Sequence, residues 1–306
     1  MNLREWALPV YTILMQFSTG LLLVLWCLRA FVLKDVAPDA VDRVLRKPIL
    51  VITFGIVVAI FGSHFHLSKP YFSFLAVLNF GSSWLSREIV FTILLLLSCA
   101  YLAYLTWFHE GLTRRKTIVG WFAVACGCTV VLCMSMLYLI PTQPTWFTPV
   151  TLLMFFGTML LLGGASAAAL LIMDTVFSQP GEPELSDIRC TIIRRSSVWF
   201  TLLASISLAV IGLLNAFQIT TMQNGDELSQ AGLRLMMSVY SPLLFARFAA
   251  LIGGVGLLGI TLLRIFRARK PLVEVVFPIH MACLLVFIGE ILGRFLFYAT
   301  HVRIGV

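Results

Sequence analysis

The chain has 306 residues, of which 60% are apolar and 12% charged, and its mean hydropathy is +0.98. Ordinary soluble domains have roughly 45–50% apolar and about 25% charged residues, so this composition excludes both a soluble globular protein and a disordered chain. The net charge of +8 is not gathered on a water-facing domain, and no nucleic-acid partner is therefore expected. The composition predicts an all-α polytopic membrane protein.

Apolar segments long enough to span a bilayer occur eight times along the chain. A spanning helix needs about 20 mostly apolar residues, and only helices satisfy their own backbone hydrogen bonds in hydrocarbon. The segments lie near residues 8–33, 48–67, 87–108, 117–140, 149–173, 195–219, 242–265 and 272–298. The connections are short and contain Pro, Gly and charged residues. We therefore expect residues 1–306 to form one integral-membrane domain, a bundle of eight transmembrane helices surrounded by the lipid bilayer.

The distribution of Lys and Arg predicts the orientation of the bundle. With eight spans both termini lie on the same side, and 15 of the 22 cations fall on the opposite face. Because cations are enriched on the cytoplasmic side of membrane proteins, we expect both termini to lie outside. The loops near residues 68–86, 141–148 and 220–241 are then outside as well.

Ionisable residues in or beside the spans are the functional candidates, because they are costly in hydrocarbon. His64, His66 and Lys69 follow the second span, and the third span opens with Arg87 and Glu88. His66 and Glu88 thus approach the same membrane face from adjacent helices. An imidazole can hydrogen-bond a quinol oxygen and a carboxylate can take the released proton, so the pair suits quinol oxidation. Alternatively these are polar interfacial residues, and Glu88 pairs with Arg87 or Lys69.

A second group of ionisable residues lies in the last two spans. Glu290 and Arg294 are four residues apart, on one helical face, and Arg247 could join them. They are expected to form an internal ion pair that orders the bundle, or to contribute to a proton path or a quinol pocket. In a secondary transporter, an alternative function, they would be substrate or proton groups. Internal repeats and helices broken at the midplane, which are typical of transporters, are not evident.

Haem is not predicted in this chain. Haem between two helices needs two histidines at matching depth on different spans. The five histidines, His64, His66, His109, His280 and His301, do not supply such a pair, and the cysteines do not match iron–sulfur spacing. Asp174, at the end of the fifth span, is expected to be a solvated helix-end residue.

Two segments resemble a known family. Residues 64–79, which read HFHLSKPYFSFLAVLN, and residues 83–89, which read SWLSREI, resemble the HLGxP…N…S…S-x-E-I block of the DmsC family. Members of that family are the membrane anchor subunits of dimethyl sulfoxide reductase-type enzymes. Residues 141–148, which read PTQPTWFT, resemble the family's P-T-W segment before its fifth span.

The resemblance implies a role in anaerobic respiration at the bacterial inner membrane, with periplasmic termini. Such subunits lack haem and iron–sulfur clusters, oxidise menaquinol to menaquinone near the outer face, and pass electrons to a ferredoxin-like [4Fe–4S] subunit. That subunit feeds a molybdopterin catalytic subunit. The family's quinol-site histidine and glutamate correspond to His66 and Glu88. The residues expected to contact the quinol are His66, Glu88, His64, Lys69, Arg87 and Asn79.

One position departs from the family pattern. Ser68-Lys69 stands where many members have Gly-Ser or Gly-Thr, and this adds a cation beside the expected site. We expect that difference to affect quinone preference and not the location of the site. A purely structural anchor, which would hold a partner without contacting quinone, is a further alternative.

Overall fold

The structure is a computed structural model, and it describes residues 7–64, 75, 77–177, 183–268 and 272–300. Eight of its helices are long and apolar enough to cross a membrane, which agrees with the number of spans predicted from the sequence. These described residues contain no β-strand. The helices are α1 (Ala7–Cys27, continued by a π-helical turn, Leu28–Val32), α2 (Pro38–His64), α3 (Trp84–Phe108), α4 (Thr113–Leu137), α5 (Pro149–Phe177), α6 (Pro183–Gln223), α7 (Glu227–Ser238), α8 (Ser241–Ala268) and α9 (Val273–Ala299).

The bundle has two ends that differ in chemistry. We call the end at which α1, α3, α5 and α8 begin the Glu88 end, and the opposite end the Asp42 end. The most deeply buried span is α5, in which 83% of the most apolar 18-residue stretch lies inside the bundle. Helices α1, α2, α4, α6 and α9 pack against it, and the outer spans expose large apolar side chains, as lipid-facing helices do.

Two helices extend beyond their predicted spans. Helix α2 begins at Pro38, ten residues before the apolar segment that predicted it. Helix α6 has 41 residues and is therefore about 60 Å long, roughly twice the thickness of the hydrocarbon core. Hydropathy detects only the part of a helix that matches hydrocarbon, so it did not register these polar extensions.

The close approach of α1 and α5 depends on two glycines. A Cβ added at Gly20 would lie 1.9 Å from the carbonyl oxygen of Met159, and one added at Gly163 would lie 2.3 Å from the carbonyl carbon of Gly20. Backbone atoms cannot move aside as a flexible side chain can. The two helices therefore touch backbone to backbone, as small residues allow in membrane bundles.

Helix α7 lies in a region that the sequence analysis assigned to a loop. Its 12 residues are too few to span a membrane, so the search for long apolar segments could not find it. Asp226 is its N-cap and accepts a hydrogen bond of 3.0 Å from the backbone N–H of Ser229. Glu227 in the first turn interacts favourably with the helix dipole.

The Asp226 cap predicts that the stability of α7 depends on pH. Hydrogen bonds from Ser229 lower the pKa of Asp226, so the stabilisation is present above the ordinary carboxyl pKa and is lost as the pH falls through the lowered value. We expect Asp226→Ala to lower the hydrogen-exchange protection factors of the α7 amides at neutral pH, as acidification does in the wild type. Asp226→Asn, which keeps a neutral acceptor, should protect α7 without that pH dependence. Equal exchange in Asp226→Ala and wild type would contradict this role.

A buried ion-pair network joins three helices at the Asp42 end. Asp42 of α2 lies 2.8 Å from Nε of Arg29 in the π-helical turn and 3.2 Å from Nζ of Lys116 in α4. The Lys116 side chain is only 2% exposed. Arg29 also donates a hydrogen bond of 2.9 Å to Thr117. Each buried charge therefore has an opposite charge beside it, which a low-dielectric interior requires.

Asp174 is not the solvated helix-end residue that the sequence suggested. Its carboxylate is buried and lies 2.5 Å from Nζ of Lys47 and 3.2 Å from Nε of Arg189. The ion pairs join α2, α5 and α6. The expectation was wrong because the long extension of α6 and the early start of α2 bring cations over the end of α5.

Candidate functional site

The N-terminus of α3 positions Glu88. Ser83 is the N-cap, and its hydroxyl accepts a hydrogen bond of 3.4 Å from the backbone N–H of Ser86. Glu88 follows in the second turn, on the face that turns into the bundle, and it is 4% exposed. A carboxylate near a helix N-terminus interacts favourably with the helix dipole.

Polar groups from α1 and α3 lie on one side of Glu88. The Tyr11 hydroxyl is close to the Glu88 carboxylate and lies 3.4 Å from the hydroxyl of Thr92. The second carboxylate oxygen, Oε2, has no hydrogen-bond partner among the described residues. Buried polar atoms are rarely left in this state, so this oxygen is free to accept a hydrogen bond or a proton from a bound molecule.

Arg87 does not pair with Glu88. Its guanidinium donates hydrogen bonds to the carbonyl oxygens of Phe80 at 3.0 Å and Gly81 at 2.7 Å, and it lies over the Trp84 ring at 4.4 Å. Within the described ranges Glu88 has no ion pair within 4.0 Å. Pairing of Glu88 with Arg87, one alternative raised by the sequence, is therefore wrong.

The remaining predicted quinol-site residues are placed as follows. His64 ends α2 and is exposed, with Nδ1 hydrogen-bonded at 2.8 Å to the carbonyl oxygen of Ile60. Asn79 is exposed in the turn before α3. His66 and Lys69 lie outside the described residues. The approach of His66 to Glu88 and the pairing of Lys69 with Glu88 therefore stay predictions.

An aromatic cluster lies at the same end of the bundle as Glu88. The hydroxyls of Tyr138, just after α4, and Tyr298 of α9 are hydrogen-bonded to each other. Trp146 packs against both rings and donates a hydrogen bond of 2.9 Å to the carbonyl oxygen of Phe297. The interior of the Glu88 end thus contains aromatic rings and phenol hydroxyls.

The structure brings Glu290, Arg294 and Arg247 together, but it does not pair them. Glu290 accepts a hydrogen bond of 2.7 Å from Thr158, and Arg294 donates one of 2.7 Å to Gln16. Neither arginine lies within 4.0 Å of the Glu290 carboxylate in the described part of the chain. The prediction of an internal ion pair is therefore wrong. Uncharged side chains of α5 and α1 form hydrogen bonds with Glu290 and Arg294 instead.

Comparison with known proteins identifies the family of the chain. The family model described as "DMSO reductase anchor subunit (DmsC)" matches residues 1–300. The chain belongs to the DmsC family. It is also 27% identical, over 311 aligned residues, to the anaerobic dimethyl sulfoxide reductase chain YnfH of Escherichia coli strain K12. That match covers 99% of this chain and 96% of YnfH.

Membership of the DmsC family and eight apolar helices make the chain a multi-pass membrane protein with an anchor role in a dimethyl sulfoxide reductase-type enzyme. An anchor subunit implies partner subunits that carry out the reduction. The prediction of this family from residues 64–89 and 141–148 is confirmed.

Sequence reasoning missed the neutral polar residues that lie around these buried charges. It searched for charged side chains, whereas Tyr11, Thr92 and Gln16 are uncharged and stand in apolar spans. All three are buried and hydrogen-bonded to the helices around them. Polar residues in an apolar span were the available signal, since each needs a partner in hydrocarbon.

Proposed function

We propose that this DmsC-family anchor binds menaquinol beside Glu88, oxidises it, and passes the electrons to an iron–sulfur subunit. The observation that carries the proposal is the buried Glu88 carboxylate, whose Oε2 lacks a partner among the described residues. His66 comes two residues after the end of α2, which lies at this same end of the bundle.

Quinol oxidation releases two electrons and two protons. Glu88 would accept the proton of one quinol hydroxyl at Oε2, with the Tyr11 hydroxyl close to the same carboxylate. His66 would hydrogen-bond the other quinol oxygen. The product is menaquinone, and both protons leave at the Glu88 end.

The electrons leave for a partner in this proposal, because neither haem nor an iron–sulfur cluster is expected in the chain. A ferredoxin-like [4Fe–4S] subunit would receive them at the Glu88 end and feed a molybdopterin subunit. The similarity to YnfH, a chain of an anaerobic dimethyl sulfoxide reductase, supports a reductase partner. With the Glu88 end outside, the complex would sit on the periplasmic face of the bacterial inner membrane.

A transporter is less well supported than a quinol-oxidising anchor. Its candidate residues Glu290, Arg247 and Arg294 do meet around one cavity. The described spans, however, are continuous, and the one irregular turn lies at the Asp42 end of α1, away from these residues. Midplane breaks of the kind that create transporter sites are not seen in these spans.

The proposal predicts a selective effect of His66. In the purified complex, His66→Ala is expected to weaken binding of a quinol analogue about tenfold, the effect of one lost hydrogen bond to a polar ligand. The matched control is His109→Ala, because His109 lies at the Asp42 end and hydrogen-bonds Tyr104 at 3.1 Å. Unchanged affinity and unchanged menaquinol oxidation in both His66→Ala and Glu88→Gln would overturn the proposal and leave a purely structural anchor.

A further inference from the structure

A small polar cavity lies inside the Glu88 end of the bundle. It has a volume of about 60 Å³ and lies between α5, α6, α8 and α9, with Met236 of α7 at one side. We call it the Glu290 cavity. Because a buried water needs about 10–15 Å³ of such space, the cavity has room for a few waters or one small ion.

The Glu290 cavity carries an excess of positive charge. Arg247, Glu290 and Arg294 all line it, and they are 5%, 2% and 6% exposed. Arginine stays protonated in proteins, so two guanidinium groups face one carboxylate. Two guanidinium groups and one carboxylate give the cavity a formal charge of +1, and the side chains that carry this charge are buried.

The protein holds the two guanidinium groups with neutral acceptors. Arg294 donates to the Gln16 side chain at 2.7 Å, and Arg247 donates to the Asn215 side chain at 3.2 Å. Phe155 lies under the Arg294 guanidinium at 3.9 Å. These contacts fix the positions of the two groups, but none of them supplies a negative charge.

Several polar atoms of the cavity residues are left without partners. Nε of Arg247, Nε of Arg294, Oε1 of Glu290 and the hydroxyl of Thr145 are buried and form no hydrogen bond in the part of the chain that the structure describes. Buried donors of this kind are normally satisfied by protein, water or an ion. Two unsatisfied charged N–H groups therefore line a cavity that has room for a guest.

We propose that the Glu290 cavity binds one small monovalent anion between Arg247 and Arg294. Glu290 is more than 4.0 Å from both guanidinium groups and is held on the α5 side by Thr158. Gly293 lets Arg247 reach this position, since a Cβ there would lie 2.5 Å from its Nε. A halide or a small carboxylate supplies the missing negative charge and accepts a hydrogen bond from Nε–H of each arginine.

Chloride is the probe for the first experiment. The thermal unfolding midpoint of the purified complex is measured while sodium gluconate is replaced by sodium chloride at constant ionic strength, which keeps general screening unchanged. A ligand that binds only the folded state raises the midpoint as its concentration rises. We expect a rise of a few degrees in chloride. Parallel series in bromide and formate show whether the site takes halides, small carboxylates or both.

Two variants locate the effect in the cavity. Arg247→Gln should abolish the chloride response, whereas Arg234→Gln, which removes an exposed arginine from α7, should retain it. Asn215→Asp places a carboxylate beside Arg247 without changing side-chain size. It should therefore lose the chloride response while its midpoint in gluconate is no lower than that of the wild type. Asn215→Asp therefore tests the anion site even if Arg247→Gln fails to fold.

Three results would overturn the anion site. Identical wild-type midpoints in chloride and gluconate would mean that water alone fills the cavity. Equal chloride responses in Arg247→Gln and Arg234→Gln would place the effect elsewhere, as would a full response in Asn215→Asp. Menaquinol oxidation is not a readout in this experiment, so its outcome is independent of the proposed function.

Discussion

Glu88→Gln is expected to lower menaquinol oxidation by the assembled complex about 100-fold, at the lower end of what a positioned general base contributes. The amide has the size of the carboxylate and can still accept a hydrogen bond from Tyr11, but it cannot take a proton. The loss corresponds to about 2.7 kcal/mol in the activation free energy. The measurement is the initial rate with a reduced menaquinone analogue.

Glu110→Gln is the matched control for Glu88→Gln. Glu110 is an exposed glutamate near the Asp42 end, 3.7 Å from Arg46, and its replacement should leave the rate unchanged. Reduction of the terminal acceptor by an artificial donor that bypasses the anchor should be unaffected in both variants. A wild-type rate of menaquinol oxidation in Glu88→Gln would remove Glu88 from the site.

The second large effect is expected at the opposite end of the bundle. Asp42→Ala should lower the free energy of unfolding by about 3–5 kcal/mol, the usual cost of removing one partner from a buried ion pair. The substitution leaves Lys116, 2% exposed, and Arg29 without the carboxylate that lies within 3.2 Å of both. The measurement is equilibrium unfolding of the detergent-solubilised protein.

Asp39→Ala provides a graded comparison for Asp42→Ala. Asp39 is 45% exposed and lies 4.0 Å from Lys116, so its loss should cost about 1 kcal/mol or less. Adding Lys116→Met to Asp42→Ala should restore part of the stability, because it removes the stranded charge. Equal costs for Asp39→Ala and Asp42→Ala would show that burial of this network does not determine its contribution.

The sequence could predict the spans because the bilayer imposes a length and a polarity on them. Both properties are visible in a window of about 20 residues. Helix α7 and the extension of α6 lie beyond hydrocarbon and carry no such signature. The end caps of these parts, such as Asp226, depend on local hydrogen bonds that a hydropathy search does not register.

Only the charged residues of the candidate site could be predicted from the sequence. Glu88 was found because a carboxylate in a span is costly, and its burial is what the structure shows. The pairing of Glu290 with Arg294 was expected from helical spacing, yet Thr158 and Gln16 come from other helices. Which neutral side chain lies beside a charged one depends on how the helices pack. That packing cannot be derived from a single sequence.

Helix α1 reaches three of the polar centres described above. Tyr11 lies close to Glu88, Gln16 bonds Arg294, and Arg29, in the turn that continues the helix, bonds Asp42. Between them, Gly20 fixes the helix against α5 with no intervening side chain. A shift of α1 along its axis would therefore alter the surroundings of the Glu88 carboxylate, the Glu290 cavity and the Asp42 ion pairs together.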